Sequence, residues 1–296
     1  MLSNLLVEKN QSRIAVFGIL FGAVCWGLIW YPYRILQEAG ISGVASSFYT
    51  YVIAVGVFAV VFFKQWRAAI NQPKSIIWLA ILAGWTNLTY VLAIIDGEVV
   101  RVMLLFYLSP LWTLVLAHFW LKERTSKRGV AVIILSLIGA FTMFWQEGAF
   151  PLPNNHAEWL ALSAGMGFAM TNVLTRYASN LTLTAKSMAV WVGVLLMSLI
   201  FIAFQEAPFP NPMDMDTSQW IVMIFIAIML MAATLFVQFG ITHIPVTNVS
   251  VLFMFELVVA AVGAYFLTDE TLSAREWLGG ALIVIAALFA ATNQQA

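Results

Sequence analysis

The chain has 296 residues, of which 62% are hydrophobic and only 9% charged, with a mean hydropathy of +0.92. A soluble domain carries about 25% charged residues, so this composition cannot coat a water-facing surface and marks a membrane protein. Fourteen basic residues balance fourteen acidic ones, which excludes a nucleic-acid binder, and the single Cys25 with three scattered histidines excludes a disulfide framework and offers neither a metal site nor a cofactor site.

A helix needs about 20 apolar residues to cross a bilayer. Ten such runs follow one another, at approximately 14–36, 41–63, 76–95, 99–121, 129–145, 158–179, 188–205, 220–243, 246–267 and 277–292. The first ends in Trp30, Tyr31, Pro32, Tyr33 and Arg34 with no small-residue cleavage site, so it reads as a retained span. Connections such as Ile95 to Val99 and His243 to Val246 are short enough to make consecutive helices antiparallel neighbours. Trp66, Trp78, Trp120, Trp145, Trp159, Trp220 and Trp277 fall near the ends of runs, as interfacial anchors do. With the N-terminus cytoplasmic, eleven of the fourteen basic residues lie on the inner side, including Lys122, Arg124, Lys127, Arg128, Arg176 and Lys186. Arg34, Arg101 and Arg275 go outside with most of the acids. Both termini are therefore expected in the cytoplasm, and Arg176 reads as a determinant of this topology.

Sliding the chain by 147 residues brings out an internal repeat. Between 88 and 126 the shift gives eleven identities in thirty-nine positions. They include Val99 with Val246, Phe106 with Phe253, Ala117 with Ala264 and Glu123 with Glu270. Each half holds five runs, an odd number, so equivalent helices must cross in opposite directions. The expected fold is an all-α membrane protein of ten transmembrane helices in two inverted-topology five-helix repeats, residues 1–147 and 148–296.

Trp26-Gly27 in the first run, Leu105 to Pro110 (Leu-Phe-Tyr-Leu-Ser-Pro) followed by Leu121 to Arg124, and their echo in Leu252 to Leu257 and Thr268 to Thr271 resemble the EamA branch of the drug/metabolite transporter superfamily. The resemblance covers essentially the whole chain. It implies carriage of small organic solutes across a bacterial cytoplasmic membrane, commonly export of amino acids or related metabolites. Two departures stand out: family members often carry Glu-Pro in the ninth helix, where this chain has Glu256-Leu257, and an Arg in the second, where it has Tyr49 and Tyr51.

With a rise of about 1.5 Å per residue, Glu256 lies on the order of 15 Å into the ninth helix, at the membrane midplane. A carboxylate costs roughly 2.5–3.5 kcal/mol there, so it is either neutral and hydrogen-bonded between helices or part of a solute or proton site. Trp26, Trp85, Asn87, Tyr90, Tyr107, Asn172 and Gln238 fall at similar depth and are candidates to line one central substrate site with it; packing and interhelical hydrogen bonds are their plainer roles. Pro110 lacks an N–H and should bend the fourth helix, freeing a carbonyl. Arg34 and Arg101, beside Asp96, Glu98 and Glu38, read either as a vestibule gate or as snorkelling side chains. No nucleotide-binding loop, no converging catalytic set and no ladder of like charge appears, which favours a carrier over a pump, an enzyme or a channel. The expectation is a secondary transporter, monomeric or homodimeric in the lipid bilayer of the inner membrane, moving a small-molecule metabolite by alternating access. A proton-coupled exporter of cationic aromatic compounds or quaternary amines is the alternative.

Overall fold

The computed structural model describes residues 2–61, 74–96, 99–143, 145, 153–204, 209–267 and 272–292. Trp66, Glu98 and Glu270 lie outside the described residues, as do the side chains of Asp96 and Arg101. Among the described residues the regular structure is entirely helical: α1 (Leu2–Glu38), α2 (Gly43–Val61), α3 (Ser75–Asp96), α4 (Val99–Phe106), α5 (Ser109–Leu116) running into a π-helical turn (Ala117–Leu121), α6 (Lys127–Met143), α7 (His156–Tyr177), α8 (Leu183–Phe204), α9 (Thr217–His243), α10 (Val246–Phe253), α11 (Phe255–Leu267) and α12 (Ala274–Thr292). Eight spans are long and apolar enough to cross a membrane, counting α4–α5 and α10–α11 as one each. The remaining two apolar runs form α6, with 17 residues, and α7, whose apolar content is diluted by Glu158, Asn172 and Arg176.

Local chemistry sets the helix ends. Gly40 takes a left-handed φ of +85° to turn the chain after α1, and Lys122 does the same at +56° after the π turn. Ser42 and Thr182 cap α2 and α8 alike: the Ser42 hydroxyl accepts the Ala45 N–H at 3.3 Å and the Thr182 hydroxyl that of Ala185 at 3.2 Å. At the start of α7 the Asn155 side chain accepts the Glu158 N–H at 2.9 Å, and Glu158 accepts the Asn154 N–H at 2.8 Å.

Helices formed by the ten apolar runs pack in corresponding pairs. The first span lies on the eighth as the sixth lies on the third (α1 on α9, α7 on α3). The first also meets both parts of the broken ninth (α10, α11), as the sixth meets both parts of the broken fourth (α4, α5). The second packs on the seventh (α2 on α8) and the fifth on the tenth (α6 on α12).

One pair departs from this correspondence. α10 packs against α5, α6, α7 and α12 as well as α1, whereas its counterpart α4 packs on α7 and α3, without comparable contacts to α1, α11 or α12 among the described residues. The bundle is thus drawn together at the end that carries Lys127, Arg176 and Lys186, here called the basic end. Side chains explain part of this. Ser250 of α10 donates to Thr113 of α5 at 2.9 Å, and Asn248 donates to the Ala290 carbonyl of α12 at 3.2 Å. The residues 147 positions from Ser250 and Thr113 are Met103 and Ala260, which cannot form such a bond.

Candidate transport site

The fourth and ninth spans are both interrupted halfway. α4 stops at Phe106 and α10 at Phe253, again 147 residues apart. In the fourth span Pro110 has no N–H to give the Phe106 carbonyl, so the helix steps over Tyr107 and Leu108 before α5 begins. In the ninth span no proline is needed. The Met254 N–H turns to the Val251 carbonyl and the Leu257 N–H to that of Met254, both at 3.1 Å, a 3₁₀-type tightening that bypasses Phe253. The departure from Glu-Pro therefore leaves the interruption in place.

Each interruption is seated against a glycine of the other half. A Cβ on Gly27 of α1 would lie 2.8 Å from the Glu256 carbonyl oxygen, and one on Gly165 of α7 would lie 2.5 Å from the Phe106 carbonyl oxygen. The obstacle is backbone in both cases, so only glycine allows α1 and α7 to approach this closely. Gly27 is the second residue of Trp26-Gly27. Gly165 drew no attention in the sequence, because its role depends on which carbonyl it faces.

Glu256 is the eleventh of the 22 residues of Val246–Leu267 and sits in the first turn of α11. Its carboxyl is half-buried and feels the hydroxyls of Tyr107, at the fourth-span interruption, and Tyr90 of α3. The Tyr107 hydroxyl is buried and, among the described residues, has no hydrogen-bond partner. From there a run of aromatic rings crosses the bundle: Tyr90 to Phe106 at 4.6 Å, Phe106 to Phe168 at 5.5 Å, Phe168 to Phe253 at 5.1 Å and Phe253 to Trp26 at 6.1 Å between centroids. Phe106 and Phe253 are the last helical residues before the two interruptions, and Phe168 joins them.

Other candidates divide by their surroundings. Asn172 and Gln238 are buried, and Asn172 Nδ2, Gln238 Oε1, Asn87 Oδ1 and Trp112 Nε1 are enclosed without a hydrogen-bond partner. Trp85 is 39% exposed, with its ring edge against Gly167 of α7, and no contact joins it to the Glu256 group. Pro110 is buried at the interruption. Arg34 is exposed and paired with Glu38 one turn along its own helix at 3.0 Å. Arg101 is the gate candidate whose side chain is outside the described residues. Among the described residues no group of His, Cys, Asp or Glu could hold a metal ion.

An all-helical multi-pass bundle with two facing interrupted spans and an acid between them has the form of a membrane transporter. Consistent with this form, residues 13–145 and 156–292 match the EamA-like transporter family, and the chain belongs to it, within the drug/metabolite transporter type. Among its relatives are the uncharacterized transporter PA0485 of Pseudomonas aeruginosa, 23% identical over 69% of this chain and 67% of that one, and protein RarD of Escherichia coli, 22% identical over 57% of each. The uncharacterized transporter YojE of Bacillus subtilis is 21% identical over 65% of this chain and 67% of its own. A protein of known crystal structure superposes with a TM-score of 0.75 at 17% identity, covering 93% of this chain and 96% of that one, a likeness of fold.

Proposed function

We propose that the protein is a secondary transporter, not an enzyme, that moves a small organic metabolite, an amino acid or related compound, out across the bacterial inner membrane by alternating access. The observation that carries this reading is the pair of interruptions 147 residues apart, with Tyr107 at one and Glu256 in the first turn after the other, both at mid-span. Interrupted helices at the midplane give a carrier exactly what a continuous helix withholds, which is polar backbone and first-turn side chains turned toward a cavity. In this reading residues 1–147 and 148–296 are inverted halves that rock about the site, and the corresponding pairs of packed spans support it. Trp26, Tyr90 and Tyr107 would hold the apolar portion of the solute. Asn87, Asn172, Gln238 and Glu256 would take its polar groups, while Trp85 stands at the margin. With the basic end and both termini in the cytoplasm, the packing of α10 makes this state closed inward.

The aromatic run ending on a carboxyl favours a second reading, a proton-coupled exporter of cationic aromatic compounds or quaternary amines. Proteoliposomes separate the two. Counterflow of labelled tryptophan, phenylalanine and leucine that survives Glu256→Gln but falls at least tenfold with Asn87→Ala supports the metabolite carrier. Uptake of tetraphenylphosphonium driven by a pH gradient and abolished by Glu256→Gln supports the exporter. Unchanged kinetics in both variants would remove the central site from either account.

A further inference from the structure

Seven residues interlock at the basic end. Glu123, just past the π turn of the fourth span, receives Arg176 Nε on one carboxylate oxygen at 3.2 Å and the Val246 N–H, the first of α10, on the other at 3.3 Å. Arg176 also donates to the Thr242 carbonyl in the last turn of α9. Lys186, in the first turn of α8 and fully buried, donates to the Thr175 carbonyl of α7 at 2.8 Å and to the Thr242 hydroxyl at 3.0 Å. The Thr242 hydroxyl passes its own proton to the Gln238 carbonyl at 2.7 Å.

The order of charges follows the helix dipoles. The carboxylate meets the positive N-terminus of α10, and the two cations cover the negative C-termini of α7 and α9. Glu123 is the sole member of the first half; every other partner belongs to the second. Separating the halves at this end therefore breaks both bonds of Glu123 and leaves Arg176 without its carboxylate, while Lys186, whose partners Thr175 and Thr242 lie in its own half, stays bonded and holds Thr242 in place. Among the described residues the opposite end shows no such network; Glu270, the repeat counterpart of Glu123, lies outside them. The matching caps of α2 and α8 align Lys186 with Ser46, which is uncharged and too short to bridge, and Arg34 is spent on its own helix.

We propose that Glu123 and Arg176, braced by Lys186, form a latch that holds the basic end shut and sets the resting state of the carrier. The inference rests on the alternating-access reading above. Glu123 is its release point: when its two bonds part, Arg176 loses its carboxylate and the first residue of α10 its cap, leaving the Ser250–Thr113 hydrogen bond as the remaining polar tie of α10 to the fourth span among the described residues.

The equivalent positions Ala117 and Ala264 serve as reporters, one beyond each interruption, each changed singly to Cys in a Cys25→Ala background. Reaction with a water-soluble methanethiosulfonate is timed in membranes, with and without Glu123→Gln or Lys186→Met. The latch predicts roughly tenfold faster labelling at 117 and slower labelling at 264, because the population moves from one state to the other. Faster labelling at both positions would make the network a plain structural brace and overturn the proposal. Unchanged labelling at both, in protein that still performs the counterflow above, would overturn the latch and leave the carrier standing. Loss of counterflow in the wild type with a reciprocal labelling shift would remove the carrier reading and leave the latch. Arg176→Lys, which keeps the charge but loses the forked donor, is the milder variant should Glu123→Gln fold poorly, and the same reciprocal shift is required of it.

Discussion

α4 and α10 occupy equivalent places in the two halves and end at equivalent phenylalanines, yet one is gripped and the other is not. α10 is tied to the fourth span through Glu123 and Thr113 and to α12 through Asn248, and it packs on neighbours along its length. α4 leans mainly on α7. The difference teaches that helices at equivalent places in the repeat are held unequally by a handful of polar residues. Ser250 stands where the other half has Met103, and Lys186 where it has Ser46; in the latch reading these differences bias which end closes.

The largest test of the comparison removes what both halves share. Gly165→Ala places a methyl 2.5 Å from the Phe106 carbonyl oxygen, so α7 must withdraw from the interruption; overpacking of this kind costs about 1–3 kcal/mol. Gly27→Ala meets the Glu256 carbonyl at 2.8 Å and should cost nearly as much. Gly56→Ala, with nothing within 4 Å of the new methyl, is the control and should leave thermal stability in detergent unchanged or raised. If all three variants melt alike, close seating of the interruptions is not a requirement of the fold.

A smaller effect is expected from the hydrogen bond that one half has and the other lacks. Interhelical hydrogen bonds in membranes contribute about 0.6 kcal/mol on average, up to roughly 1.7. Ser250→Ala with Thr113→Val should therefore raise labelling at position 117 by about threefold, and by no more than roughly twentyfold. Installing the pair at the other end, Met103→Ser with Ala260→Thr, should slow labelling at 264 by a similar factor. An effect of the first without the second would mean that α4 and α11 stand too far apart for side chains alone to join them.

The apolar runs and the break in the fourth span were legible from apolar length and Pro110, because apolar length and a missing N–H act locally; the break in the ninth span, which has no proline, was not. Glu256 was legible because a carboxyl at mid-span is costly wherever the helix faces. The latch was not. Lys186 and Arg176 near helix ends look like ordinary topology determinants, and the repeat singled out Glu123 without showing that it caps α10. Burial of Lys186 exists only once α7, α8 and α9 have met, and no sequence period records that. Gly165 was silent for the same reason.

The last test concerns the one proline that the halves do not share. Leu257 stands where the first half has Pro110, and its N–H bonds to Met254 at 3.1 Å rather than to the Phe253 carbonyl four residues back. A proline at 257 therefore removes one short-range bond and finds no i−4 partnership to clash with, so Leu257→Pro should cost on the order of 1 kcal/mol. Val251→Pro, in the interior of α10, should cost about 3 kcal/mol or more and release the basic end. Thermal unfolding of the two variants side by side checks this. Equal losses would mean that the ninth span is mechanically continuous through Met254, and that its likeness to the fourth span is one of outline and not of function.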